Sequence, residues 1–156
     1  MSFQLTSTAF EEGQPIPLDY TGEGRNASPP LKWTDPPAGT RSLALICEDP
    51  DAPHGTFTHW VVFDMDPKVV DLGEDHAPEN ARQGSNDWGQ VEYGGPKPPS
   101  GEHRYFFHLY ALDTKLNLPR GSTRLQVEQA MQGHVLDRAE LIGRYASAQA
   151  QPIGSH

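Results

Sequence analysis

The chain has 156 residues, the length of one domain and enough to build a hydrophobic core without disulfides or a structural metal. Its 21 acidic against 12 basic residues give a formal net charge of -9, which repels phosphate backbones and anionic bilayers and argues against nucleic acid as a partner. No basic segment followed by an apolar run opens the chain, no stretch approaches the roughly 18 apolar residues of a membrane span, and Cys47 is the single cysteine; a cytoplasmic protein with no disulfide and no membrane span is expected.

Fifteen glycines and fifteen prolines, spread along the chain, break it into short segments and speak against a helical bundle. Strands are predicted first at "FQLTS" near the start and at "LKW" (31–33). Between them "GEGRNA" (22–27) fits a loose dinucleotide fingerprint, but Ser28-Pro29-Pro30 stand where the helix of such a motif has to begin. "SLALIC" (42–47) and "THWVVFDM" (58–65) are rich in β-branched and aromatic residues, bounded by turn residues and too short for ordinary helices. Cys47 reads as a small buried hydrophobe of the first of these runs. The third strong run, "HRYFFHLYALD" (103–113), completes a set that reads as central strands of a sheet covered on both faces.

About 35 residues of breakers separate the second and third strong strands, ending in "YGGPKPPSG". Loops of that length inside a compact domain are functional or disordered, and glycines beside prolines make a rigid wall that a ligand can approach closely. After Gly121, the segment 123–146 is predicted helical: Thr123 and Gln126 form a candidate capping box, and Val127, Ala130, Met131, His134, Val135 and Ala139 recur at three- and four-residue spacing. Gly133 is expected to bend or divide it. The organisation predicted is a single domain over 1–146 and a frayed tail over 147–156.

Strand parity gathers candidate site residues. If 103–111 is a regular strand, His103, Tyr105 and Phe107 share one face, and Arg104, Phe106 and His108 the other. His103 and Tyr105 then adjoin the Pro/Gly wall, while His59 opens its strand one short loop after Asp49 and Asp51. Two histidines, a phenol and glycine N–H groups would form a donor-rich pocket for an anion, with a nearby carboxylate favouring imidazolium. No nucleophile-elbow, H-E-x-x-H, C-x-x-C or P-loop pattern occurs. A zinc or iron site on His59, His103 and one acid is the chemical alternative left open.

"SPPLKW", "DPDAP", "THWVVF", "YGGPKPPSGEHRYFFHLYALD" and "AMQGHVLDRAELIGRY", in order from about Phe3 to Tyr145, resemble the phosphatidylethanolamine-binding protein family, in its short bacterial, YbhB/YbcL-like branch related to Raf kinase inhibitor proteins. The resemblance implies a mainly β fold, with a large central antiparallel Greek-key sheet, a smaller second sheet and a C-terminal helix. It also implies a small surface pocket for phosphate-type anions or phospholipid head groups; no cofactor and no metal are expected. Carried over by position, the ligand-binding residues are Asp49, Asp51, His59, Gly94, Gly95, Pro98, Pro99, His103 and Tyr105, with Phe57 at the rim and Lys97 interrupting the proline wall. Asp49 is expected to orient and charge His59, and a cis peptide is expected at or beside "DPDAP". The partners implied are a phosphorylated small molecule or lipid head group, a signalling protein, and a second copy of the chain in a homodimer. A binding protein rather than an enzyme is expected; a slow hydrolase using the pocket histidines and an interaction module with a vestigial pocket are the alternatives.

Overall fold

Long runs of β-branched and aromatic residues form the three central strands, and each is bounded where the turn chemistry predicts. A computed structural model describes residues 2–147, apart from 77 and 79. Its strands are β1 (Gln4–Thr6), β2 (Leu31–Thr34), β3 (Ser42–Asp49), β4 (Phe57–Met65), β5 (Asp71–Leu72), β6 (Arg82–Gln83), β7 (Glu102–Leu112) and β8 (Val135–Ala146), with one α-helix, α1 (Arg124–Met131). The large sheet has the order β6-β4-β3-β7-β8 and the small one β1-β2-β5, with antiparallel pairing throughout. The chain leaves β4, passes through the long breaker-rich segment and returns as β7 on the far side of β3, a crossover rather than a meander.

Both faces of the large sheet are covered, so β3 reads as nearly continuous burial. On one face Leu45, Cys47, Trp60, Val62, Tyr105, Phe107 and Leu109 pack with Leu5, Leu31, Trp33 and Leu72 of the small sheet. On the other, Ala44, Ile46, Val61 and Phe63 meet Val127 and Met131 of α1. Burying those two helix side chains contributes about 1.5–3 kcal/mol each.

The expected capping box is present: Thr123 Oγ1 accepts from Gln126 N–H, and Gln126 Oε1 accepts from Thr123 N–H. The helix, however, ends at Met131, and 135–146 is the longest strand of the sheet rather than more helix. Gly133 at φ +80° turns the chain, and β8 then pairs with the whole length of β7 from Val135 to Ala146. In "RAELIGRY" the buried residues are Ala139, Leu141 and Gly143, a period of two that the three- and four-residue spacing had masked. The C-terminal helix is therefore a short helix before the final strand.

Ser147 is buried and donates through Oγ to Glu23 Oε2, so the frayed tail does not begin there; its remainder, 148–156, lies outside the described residues. Every described peptide bond is trans, against the cis bond that the resemblance implies; the turn after β3 is closed by Asp51 N–H donating to Asp49 Oδ1 at 2.7 Å. Among the described residues no helix is long and apolar enough to cross a membrane.

Candidate ligand-binding site

At one end of the large sheet, on the face covered by the small sheet, Asp49 ends β3, His59 lies near the start of β4, and His103 and Tyr105 open β7. Parity alone brings Asp49, His103 and Tyr105 together. His59 needs more, because strict alternation from Trp60, whose side chain packs in the core on this face, would send it to the helix side. The register supplies the answer: Cys47 faces Trp60 and Glu48 faces Thr58, leaving His59 as the extra residue of a β-bulge. Thr58 then turns to the helix side, where its Oγ1 accepts from Arg124 Nε, and His59 turns to the cavity.

The cavity is about 420 Å³ and is lined by Asp49, Ala52, Pro53, His54, Phe57, His59, Trp88, Lys97, Pro98, Pro99, His103 and Tyr105. Six of the nine residues named from sequence line it; Asp51, Gly94 and Gly95 do not. Asp51 is spent on Arg104, whose backbone N–H and guanidinium hold both of its oxygens at 2.9 Å and, by hydrogen bonding above all, keep its carboxyl down at about 2. The expected donors of the glycine wall are already used: Gly94 N–H goes to His59 O and Gly95 N–H to Asn26 Oδ1. Both glycines are still needed for close approach. A Cβ on Gly94 would lie 2.3 Å from the Trp88 ring, and one on Gly95 2.3 Å from Tyr20 O.

Asp49 does not orient His59; it holds His103, whose Nδ1–H donates to Asp49 Oδ2 at 2.6 Å, both side chains being almost wholly buried. His59 instead donates from Nδ1 to Gly94 O at 2.6 Å. Because a carbonyl can only accept, this bond fixes the His59 tautomer, and the Asp49 carboxylate does the same for His103. Each ring is left with Nε2 free of any partner among the described residues. The Tyr105 hydroxyl is likewise unpartnered. Burial pushes the His59 pKa below its usual value, against the opposing pull of Gly94 O and Asp49, so the ring is held neutral until an anion offsets the cost of charging it. Burial also raises Tyr105, which stays a hydroxyl donor.

The apolar wall is a cluster that sequence reading caught only in part. Phe57 packs edge-on against His59 and Trp88 at 5.2 and 4.7 Å, and Trp88 meets His59 at 5.1 Å. Trp88, 47% exposed, lay unremarked in the long loop, although a tryptophan in a breaker-rich segment with no apolar period around it is a usable signal. His54 was missed too. Lys97 is exposed at the rim and makes no ion pair with the described residues. Among those residues no group of three or more His, Cys, Asp or Glu side chains is placed to hold a metal ion.

This arrangement, a bulged histidine and a carboxylate-backed histidine at the end of a two-sheet β fold, defines a class of protein. The phosphatidylethanolamine-binding protein family model matches residues 6–146, and the chain belongs to that family. It is 50% identical over 146 residues to a UPF0098 protein of Methanothermobacter thermautotrophicus, covering 90% of this chain and 97% of that one. To a UPF0098 protein of Aquifex aeolicus it is 48% identical over 149 residues, covering 91% and 87%. The crystal structure of a phosphatidylethanolamine-binding protein homologue from Chlamydia trachomatis superposes with a TM-score of 0.90 at 43% identity, over 94% of this chain and 98% of that one. YbcL of Escherichia coli, described as a member of the mammalian PEBP family, gives 0.88 at 32% identity, over 93% and 98%.

Proposed function

We propose that the protein binds phosphate-type anions in the 420 Å³ cavity, as free phosphorylated small molecules or as phospholipid head groups, and does so as a binding protein rather than an enzyme. The observation that carries this reading is the convergence of three unpartnered groups, His59 Nε2, His103 Nε2 and Tyr105 Oη, on one cavity with the Lys97 cation at its rim. An anion or hydrogen phosphate satisfies all of them: it charges the imidazoles or donates its own proton to them, and it accepts from the phenol. No serine, threonine or cysteine lines the cavity among the described residues, which favours binding over nucleophilic chemistry. A kinase-inhibitor-like role would follow if the anion is carried on a signalling protein, and the homodimer implied by the resemblance is checked by sedimentation.

The test is an NMR titration of the His59 and His103 ring signals with phosphate, phosphoethanolamine and ethanolamine. Saturable shifts with both phosphates and none with ethanolamine are expected. Silence toward all three overturns the reading and leaves the interaction module. Hydrolysis of a chromogenic phosphate or acyl ester that is lost in His59→Ala and His103→Ala would restore the hydrolase.

A further inference from the structure

A second cavity has a volume of about 250 Å³. It is lined by Asn26, Ser28, Trp60, Asp75, His76, Gln83, Glu92 and Tyr93, and it shares no lining residue with the histidine site. We infer that it is a separate binding site for a small protonated amine that carries an oxygen acceptor next to its ammonium group. This proposal does not rest on the anion reading.

The charge comes from Asp75 and Glu92. Both carboxylates line the cavity, and neither accepts a hydrogen bond or ion pair from the described residues. Elsewhere in the chain several carboxylates meet an arginine or histidine, as in Asp19 with Arg25, Asp51 with Arg104 and Asp113 with His134. Here the sole titratable cation of the described lining is the exposed His76.

The floor supplies the second, independent observation. Ser28 is 6% exposed, and its hydroxyl has no hydrogen-bond partner among the described residues; only its carbonyl is used, accepting from Asp75 N–H at 2.8 Å. The hydroxyl of this otherwise buried residue opens onto the cavity, and its free side marks a place for a ligand atom.

Two amides fix the rest of the chemistry. Trp60 Nε1–H donates to Gln83 Oε1 at 2.8 Å, and Gly95 N–H donates to Asn26 Oδ1 at 2.7 Å. Both partners are pure donors, so each amide must turn its oxygen toward them and leave its NH₂ group unpaired. The lining thus offers two carboxylates and a hydroxyl to an ammonium group, and two NH₂ donors to an oxygen beside it. A bare alkylammonium ion leaves the amides unmet, and an uncharged polyol leaves the carboxylates unmatched.

The Trp60 indole N–H is the reporter, since its acceptor is a lining residue. In full-length protein its ¹H–¹⁵N signal is followed during titration with glycinamide, ethylamine and glycerol. Glycinamide is expected to give a saturable shift, ethylamine a weaker affinity, and glycerol none. Glu92→Gln and Asp75→Asn, on exposed side chains and so without a folding cost, should each weaken glycinamide about tenfold, while His103→Ala leaves it unchanged. The absence of a saturable shift with glycinamide, equal binding of glycerol, or indifference to both carboxamide variants overturns the proposal. Loss of glycinamide binding in His103→Ala would also overturn it, by assigning the amine to the first cavity.

Discussion

Two histidines five residues apart on β7 meet opposite fates. His103 faces the small sheet, gives one nitrogen to Asp49 and leaves the other on a cavity. His108 faces the helix side, where Glu48 lies 3.2 Å from its Nε2 and Glu140 lies 3.2 Å from its Nδ1, with Arg124 near the far oxygen of Glu48. Phe106 stacks on the His108 ring and Tyr110 tilts against it. The first histidine is half-satisfied and waiting; the second is wedged between two carboxylates, although its Nδ1 makes no hydrogen bond among the described residues. Proximity of imidazole and carboxylate therefore marks a binding site only when one ring nitrogen remains open to a cavity.

The comparison breaks most sharply at the clamp. His108→Ala leaves Glu48 with Arg124 as its remaining counter-charge and should cost about 3 kcal/mol of stability, the low end for breaking a buried pair. Denaturant unfolding measures this, and phosphate affinity of the folded protein should stay within about twofold. His103→Ala and His59→Ala reverse the pattern: each removes a charge-assisted bond to the anion, about 1.5–3 kcal/mol or roughly ten- to hundredfold in affinity by calorimetry.

A smaller effect sharpens the difference through pH. Sulfate does not titrate near neutrality, so its binding reports the pocket alone. Because burial lowers the His59 pKa and a bound anion raises it, sulfate affinity should fall as pH rises, by up to about tenfold per unit for each proton taken up. The same shift acts on the free protein: the unfolded chain protonates His59 more readily, so this residue costs stability as pH drops below the ordinary histidine value of about 6.5 and through the depressed one. Thermal melts with and without sulfate at several pH values measure both signs. The smallest effect is expected from Asp51→Asn. Its ion pair with Arg104 is open to solvent, so only a slight loss of stability above the carboxylate range and no change in anion affinity should follow.

Much of this was legible before any coordinates. The central strands announced themselves through β-branched and aromatic runs between turn residues, and a period of two separated His103 and Tyr105 from His108. The short apolar face of "LQVEQAM" and its capping box marked α1. Where the reading failed, two periods overlapped: Val135 and Ala139 continue the helical spacing of Val127 and Met131, yet Ala139, Leu141 and Gly143 alternate. Pairing with eleven residues of β7 decided between them, and no local propensity records that.

Order along the chain determined the central strands β3, β4 and β7, which residues share a face of β7, and which family this is. The assignment of partners was decided in three dimensions. A bulge against β3 swung His59 onto the cavity face, Asp49 met His103 instead, Arg104 removed Asp51, and Gly94 contributed its carbonyl rather than its N–H. Each of these joins residues more than 30 positions apart, apart from the bulge, which itself depends on cross-strand register; hydrogen-bond partners at such separations are set by how strands align, which residue types alone do not specify.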